Sequence, residues 1–293
     1  MKPKQKIYDS VFTNLLSKKK YALKAYQAIN PNDQSVTEDD IEDITINNVY
    51  STGIYNDFSM RVKDQELIFI EAQSYSLTNI TFRISGYYIE TEQRRLDNIK
   101  ESPYSSKPLP LIKPRFFVVY SGDDNVPDEI NFTDIYFNGE ECDFNVKVHV
   151  IKEINSQSKK TIFDEYLFFC KRFKINRKLY GNTNKAIEVT LKECIQAGVL
   201  VDYILQNREE IVDIMDYLFN QEKNLELYGE EKKKEGKEEG KREGIEIGKE
   251  QGIEIGKEQG IEIGEAKKLK EIAREMKLDQ EPIEKIMKYT NLS

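Results

Sequence analysis

Apolar positions along this chain recur first at helical spacing, then in alternation, and then at helical spacing again. Over 7–29, Ile7, Val11, Leu15 and Leu16, followed by Leu23 and Ala28, approximate one helical face, which Pro31 and Asn32 close. After an acidic stretch, ITINNVYS, YNDFSMRV and ELIFIEAQ read as three short strands, rich in β-branched and aromatic residues. Thr52-Gly53 and Lys63-Asp64 separate them. Ile80, Ile84 and Tyr87 or Tyr88 recur at spacings of three and four and predict a helix over 78–98. Pro103, Pro108, Pro110 and Pro114 mark a loop. PRFFVVYS then reads as a buried strand whose aromatics are core, and NVKVHVIK as a further strand. From Ile162 the spacing is helical in FDEYLFFCKRF, AIEVTLKECIQAGVLVDYIL and EEIVDIMDYLF. The predicted order is α, β, β, β, α, β, β and then helix throughout, an α/β pattern.

The C-terminal region carries a repeat. Glycines stand at 236, 240, 244, 248, 252, 256, 260 and 264, and GIEIGKEQ recurs almost unchanged. Each Gly costs roughly 1 kcal/mol against Ala inside a helix. The intervening Lys and Glu favour helix, and a period of four drifts only about 40° per repeat from 3.6 residues per turn. The expectation is an extended helix that self-associates, with a disordered linker as the alternative. The segment beyond, over 266–293, reads as two short helices split near 279–282.

Charge and composition narrow the chemistry. Charged residues make up 33% of the chain and the mean hydropathy is -0.65, high for a chain that is compact throughout. No apolar run approaches the roughly 18 residues of a membrane helix, and MKPKQKIYDS lacks the apolar stretch of a signal peptide, which predicts a cytoplasmic protein with no membrane partner. Cys142, Cys170 and Cys194 are odd in number and far apart, so they suit neither a disulfide framework nor a zinc site and read as buried thiols. His149 is the only histidine and sits in an alternating segment, as a strand residue would. A Ser/His/Asp triad, a His-rich zinc site and a paired-histidine nuclease are thereby excluded. Carboxylates and a hard metal ion are left to do any chemistry. The net charge of -8 argues against coating nucleic acid by charge alone. Yet residues 1–30 hold seven lysines against Asp9, and 33–43 hold six acids and no base. The basic helix could meet phosphate, or both stretches could be solvated surface. Asp123-Asp124 and Glu140-Glu141 read as surface.

The hairpin formed by YNDFSMRV and ELIFIEAQ is the most informative stretch. A turn centred on Asp64 places Asp57 opposite Glu71, each seven residues from the centre, with side-chain origins about 4.5–5.5 Å apart on one side of the sheet. Gln73, two residues beyond Glu71, points the same way. Two carboxylates that close repel, and a bridging Mg²⁺ or Mn²⁺ would relieve it, polarise a phosphoryl oxygen and acidify a water. Gln73 would orient water or substrate by hydrogen bonding. An exposed hairpin edge with incidental acids would show the same spacing. Arg83 and Tyr87 lie four apart on one helical face, so the arginine is placed to contact a phosphate or to pair with a structural carboxylate.

The stretch YNDFSMRVKDQELIFIEAQSYSLTNITFRISGYY resembles the core of the PD-(D/E)XK recombination-promoting nuclease and putative transposase family, in which an Asp on one strand precedes Glu-x-Gln on the next. Asp57, Glu71 and Gln73 match that pattern. The likeness extends upstream to Asp9 in DSVFTNLLS and downstream to Arg83 and Tyr87. It continues through PRFFVVYSG, the PDE at 127–129, AIEVTLKECIQAGVL and the Gly/Glu/Lys tail. The resemblance implies a restriction-endonuclease-like core of order α-β-β-β-α-β, Mg²⁺-dependent cleavage of DNA, and a role in recombination or mobile elements. Asn56 stands where Pro gives the motif its name, and Gln73 replaces the Lys, removing a cation that would stabilise the transition state. The implied organisation is a nuclease core at 1–155, a helical subdomain at 156–228, the repeat tail at 229–265 and short helices at 266–293. The alternative is a catalytically weak DNA-binding or assembly protein that keeps the fold and forms homo-oligomers through its tail. A cut-and-paste transposase has no visible end-recognition module to support it.

Overall fold

A computed structural model describes residues 11–46, 56–74, 77–152 and 160–291, with the side chains of 221–226 left aside. The elements are α1 (Val11–Leu16), α2 (Lys19–Ile29), β1 (Ile41–Asp43), β2 (Phe58–Val62), β3 (Glu66–Gln73), α3 (Ile80–Asn98), β4 (Lys113–Tyr120), β5 (Glu129–Asn131), α4 (Phe132–Tyr136), β6 (Lys147–Ile151), α5 (Ile162–Tyr180), α6 (Asn184–Gln196), α7 (Val201–Leu278) and α8 (Ile283–Thr290). The protein is a mixed α/β chain with a long helical C-terminal region. Contacts divide it into residues 1–221 and 222–293.

The first unit is built on a six-stranded mixed sheet of order β1-β2-β3-β4-β6-β5. β3, β4 and β6 run parallel at its centre, and the outer pairs are antiparallel. The central strands are apolar on both faces, as a sheet covered on both sides requires. Phe58, Met60, Ile68, Ile70, Phe117 and Val119 pack on one face against α1, α2, α5, α6 and the start of α7. Leu67, Phe69, Phe116, Val118, Val148 and Val150 pack on the other against Ile80, Ile84 and Tyr87 of α3. Among the described residues no helix is long and apolar enough to cross a membrane.

The β2–β3 register is the one expected: Phe58 opposes Ile70 and Val62 opposes Glu66, about a turn at Lys63 and Asp64. Four expectations need correction. The helix expected over 7–29 is broken among its described residues at Ser17-Lys18, where Ser17 Oγ donates to the Asn14 carbonyl; α1 and α2 then each bury their own apolar residues. The strand expected at ITINNVYS is absent over 44–46, its remainder lies outside the described residues, and β1 lies inside the acidic stretch. Ile41 is buried against β2 there while Glu42 and Asp43 stay exposed. The helix expected over 186–205 is divided at Gly198 and Leu200, both at positive φ (69° and 49°). Of the cysteines only Cys194 is buried; Cys142 and Cys170 are intermediate. β5 and α4 have no counterpart in the predicted order. His149 lies on β6 as expected, 3.1 Å from Glu129.

In the second unit α7 is helical through all eight glycines to Leu278, and α8 follows after Pro282. Ile245, Ile247, Ile253, Ile255, Ile261 and Ile263 are 51–61% exposed.

Candidate active site

The carboxylates meet where β2 begins and β3 ends. Continuing the β2–β3 pairing by one residue sets Asp57 opposite Glu71. Alternation puts Glu71 and Gln73 on the face of β3 that carries Leu67 and Phe69, beneath the first turns of α3. Glu71 is completely buried there. Two reciprocal hydrogen bonds lock the pair: the Asp57 amide donates to Glu71 Oε1 at 3.2 Å, and the Ala72 amide donates to Asp57 Oδ2 at 2.8 Å. Thr13 of α1 donates its hydroxyl to the Asp57 carbonyl at 2.8 Å, tying the start of β2 to the opposite layer.

Gln73 Nε2 donates to Glu71 Oε2 at 3.3 Å, and Arg83 Nη2 donates to the same oxygen at 2.7 Å. Arg83 Nε donates in turn to the Tyr87 hydroxyl at 3.1 Å, so the i, i+4 pair on α3 acts as one unit. The arginine therefore contacts a carboxylate, while its side chain stays 42% exposed at the mouth of the site. Asp57, Glu71, Gln73, Arg83 and Tyr87 are thus brought together. Asp9 lies outside the described residues.

Burial dominates the electrostatics. The pKa of Glu71 is raised from 4.5 to about 8, first by loss of water and then by repulsion from Asp57. The contact with Arg83 and the hydrogen bonds from Asp57 and Gln73 pull the other way and are outweighed. A salt bridge normally holds a carboxylate ionised; here one half-exposed guanidinium does not compensate for complete burial beside a second acid. Burial and Glu71 raise Tyr87 to about 12, so its hydroxyl stays protonated.

Other contributors carry no side-chain signature. The Ala72 amide is backbone, and Gly122 matters for what it lacks: a Cβ there would lie 2.7 Å from the Ser74 carbonyl and would collide with the Tyr120 ring, where the chain leaves β4 beside the end of β3. Ser121 closes that approach by donating its amide to the Gln73 carbonyl at 2.8 Å. Among the described residues no group of three or more His, Cys, Asp or Glu is placed to hold a metal ion, and neither the cavity lined by Glu42, Arg61 and Arg94 nor the one lined by Tyr88 and Lys113 includes Asp57 or Glu71. Lys18 and Lys20 of the basic segment are paired with Glu210 and Asp202 at 3.2 Å each.

Compared with known proteins, the chain matches no family model, no curated protein and no solved structure.

Proposed function

We propose that this chain is a Mg²⁺- or Mn²⁺-dependent DNA endonuclease of the PD-(D/E)XK type, with a restriction-endonuclease-like core, acting in the cytoplasm in recombination or on mobile elements. The observation that carries the reading is Glu71: a carboxylate buried beside a second one, its pKa lifted to about 8, in a position that a cation would stabilise. Mg²⁺ keeps several waters and takes one or two carboxylates, so the pair Asp57 and Glu71 is a sufficient protein contribution, with the Gln73 amide beside it. A divalent cation bound there supplies Lewis acidity toward a phosphodiester and makes water a stronger acid. The chain's own residues do the positioning. Ala72 and Thr13 fix Asp57, and Gln73 orients Glu71 through a group that never ionises. Arg83 stands half-exposed where an incoming phosphate would exchange with the Glu71 oxygen it now holds.

A plasmid-nicking assay with and without Mg²⁺ tests the proposal. Cleavage should require the metal and fall to background in Asp57→Ala and Glu71→Ala, with circular dichroism showing both variants folded. Metal-dependent nicking retained in either variant would sink the assignment.

A second reading, a catalytically weak DNA-binding or assembly protein that forms homo-oligomers through its tail, draws on two observations. Arg83 already occupies Glu71 Oε2, and six isoleucines stand exposed along α7. Absence of nicking at any Mg²⁺ or Mn²⁺ concentration, together with DNA binding by the intact chain, would favour it.

A further inference from the structure

β4 and β6 pair only between Phe117–Val119 and His149–Ile151, although β4 starts at Lys113 and β6 at Lys147. On the N-terminal side of that ladder the strands part, and a cleft of about 550 Å³ opens there. α3 lines it with Tyr88, whose ring meets Phe116 edge-on at 6.3 Å, and Phe144, 49% exposed, also lines it. Lys113, Arg115 and Lys147 line the same cleft, and none of its lining residues is an acid.

Two carboxylates lie near these cations: Glu66 is 3.4 Å from Arg115 and Glu129 is 3.0 Å from Lys147. Lys113 is exposed and has no ion pair among the described residues, so the cleft keeps a positive balance. An aromatic wall beside cations fits a flat π-face linked to an anion, and a nucleotide carries both. A cleft of this volume is large enough for one.

We propose that this cleft binds an unpaired nucleotide of a DNA strand, the base against Tyr88 and Phe144 and the phosphate toward Lys113. The choice of DNA rests on the nuclease reading; the base-plus-phosphate chemistry does not. In the parallel β3–β4 pair Lys113 lies beside Glu66 and Val118 beside Glu71, so the Lys113 end of the cleft is roughly 15–20 Å along the sheet from the carboxylates, while its Phe116 end comes within about 7 Å of them. A phosphate held at Lys113 is held away from the bond to be cut, so binding there can be measured apart from cleavage.

The test is fluorescence anisotropy of the full chain in EDTA, with a labelled oligo(dT) of about 20 nucleotides and a duplex of equal length as probes. The wild type should bind the single strand more tightly than the duplex. Phe144→Ser and Lys113→Glu alter exposed side chains and should each weaken oligo(dT) binding at least about fivefold, with duplex binding and melting temperature unchanged. The proposal is overturned if the wild type shows no preference for the single strand, if both variants bind oligo(dT) like wild type, or if they lose both probes equally. Metal-free binding reports on the cleft and Mg²⁺-dependent nicking on the carboxylates, so either reading can fail without the other.

Discussion

Glu71 shows how one side chain can couple burial, charge and proton affinity. Its proton is held more tightly in the folded chain, at about 8, than at the ordinary value of 4.5. A group whose pKa is raised by folding contributes stability that is present below 4.5 and lost as pH rises through about 8. In EDTA the wild type should therefore lose thermal stability progressively from about pH 5 to pH 8. Glu71→Gln, which keeps the shape without the ionisation, should show a flatter profile; parallel melting curves for the two proteins across that range would refute this. Added Mg²⁺ should raise the melting temperature more at pH 8 than at pH 5, because a ligand that binds only the folded chain stabilises it by mass action and here competes with a proton. Gln73 and Tyr87 do not titrate in this window, so within the site only the carboxylates contribute, and the comparison with Glu71→Gln isolates Glu71 from groups elsewhere.

Among the elements, the β2–β3 hairpin decides where the site forms. Its turn holds Lys63 and Asp64 at φ 48° and 54°, a left-handed conformation that costs a residue with a side chain, and the Gln65 amide closes it on the Val62 carbonyl at 2.9 Å. Asp64→Gly should raise stability by about 0.5 kcal/mol, read as a higher urea midpoint at unchanged slope. The exposed ion pair between Arg61 and Asp64 that it removes is worth little. This hairpin was also the most legible part of the sequence, because a period of two and a turn signal set a register that can be counted. Asp57 and Glu71 follow from it, and Arg83 and Tyr87 from helical spacing. β5 was not legible, since its three residues gain their structure from β6, more than fifteen positions away, and only Ile130 of the three is buried. β1 was hidden by its acids, because a single isoleucine cannot announce a strand. The break between α1 and α2 depends on which face each buries in the folded core, which local periodicity does not record.

For the whole molecule, the separation into residues 1–221 and 222–293 suggests that the chemistry and the tail can be uncoupled. Truncation after Leu227 retains the whole first unit and should leave a soluble species that still nicks DNA if the nuclease reading holds. Full-length protein should scatter light as an oligomer at micromolar concentration and the truncated form as a monomer. A monomeric full-length protein would make the tail a linker or assign the isoleucines of α7 to another partner. The glycine repeat along α7 has a further consequence. Because GIEIGKEQ recurs over 244–264, two such helices slipped by eight residues, about 12 Å, still meet in the same pattern over 13 of those 21 residues. Each slip keeps the pattern but shortens the contact, so a pair of tails would behave as a sliding joint with a preferred stop, fixing who associates more firmly than how far apart the partners stand.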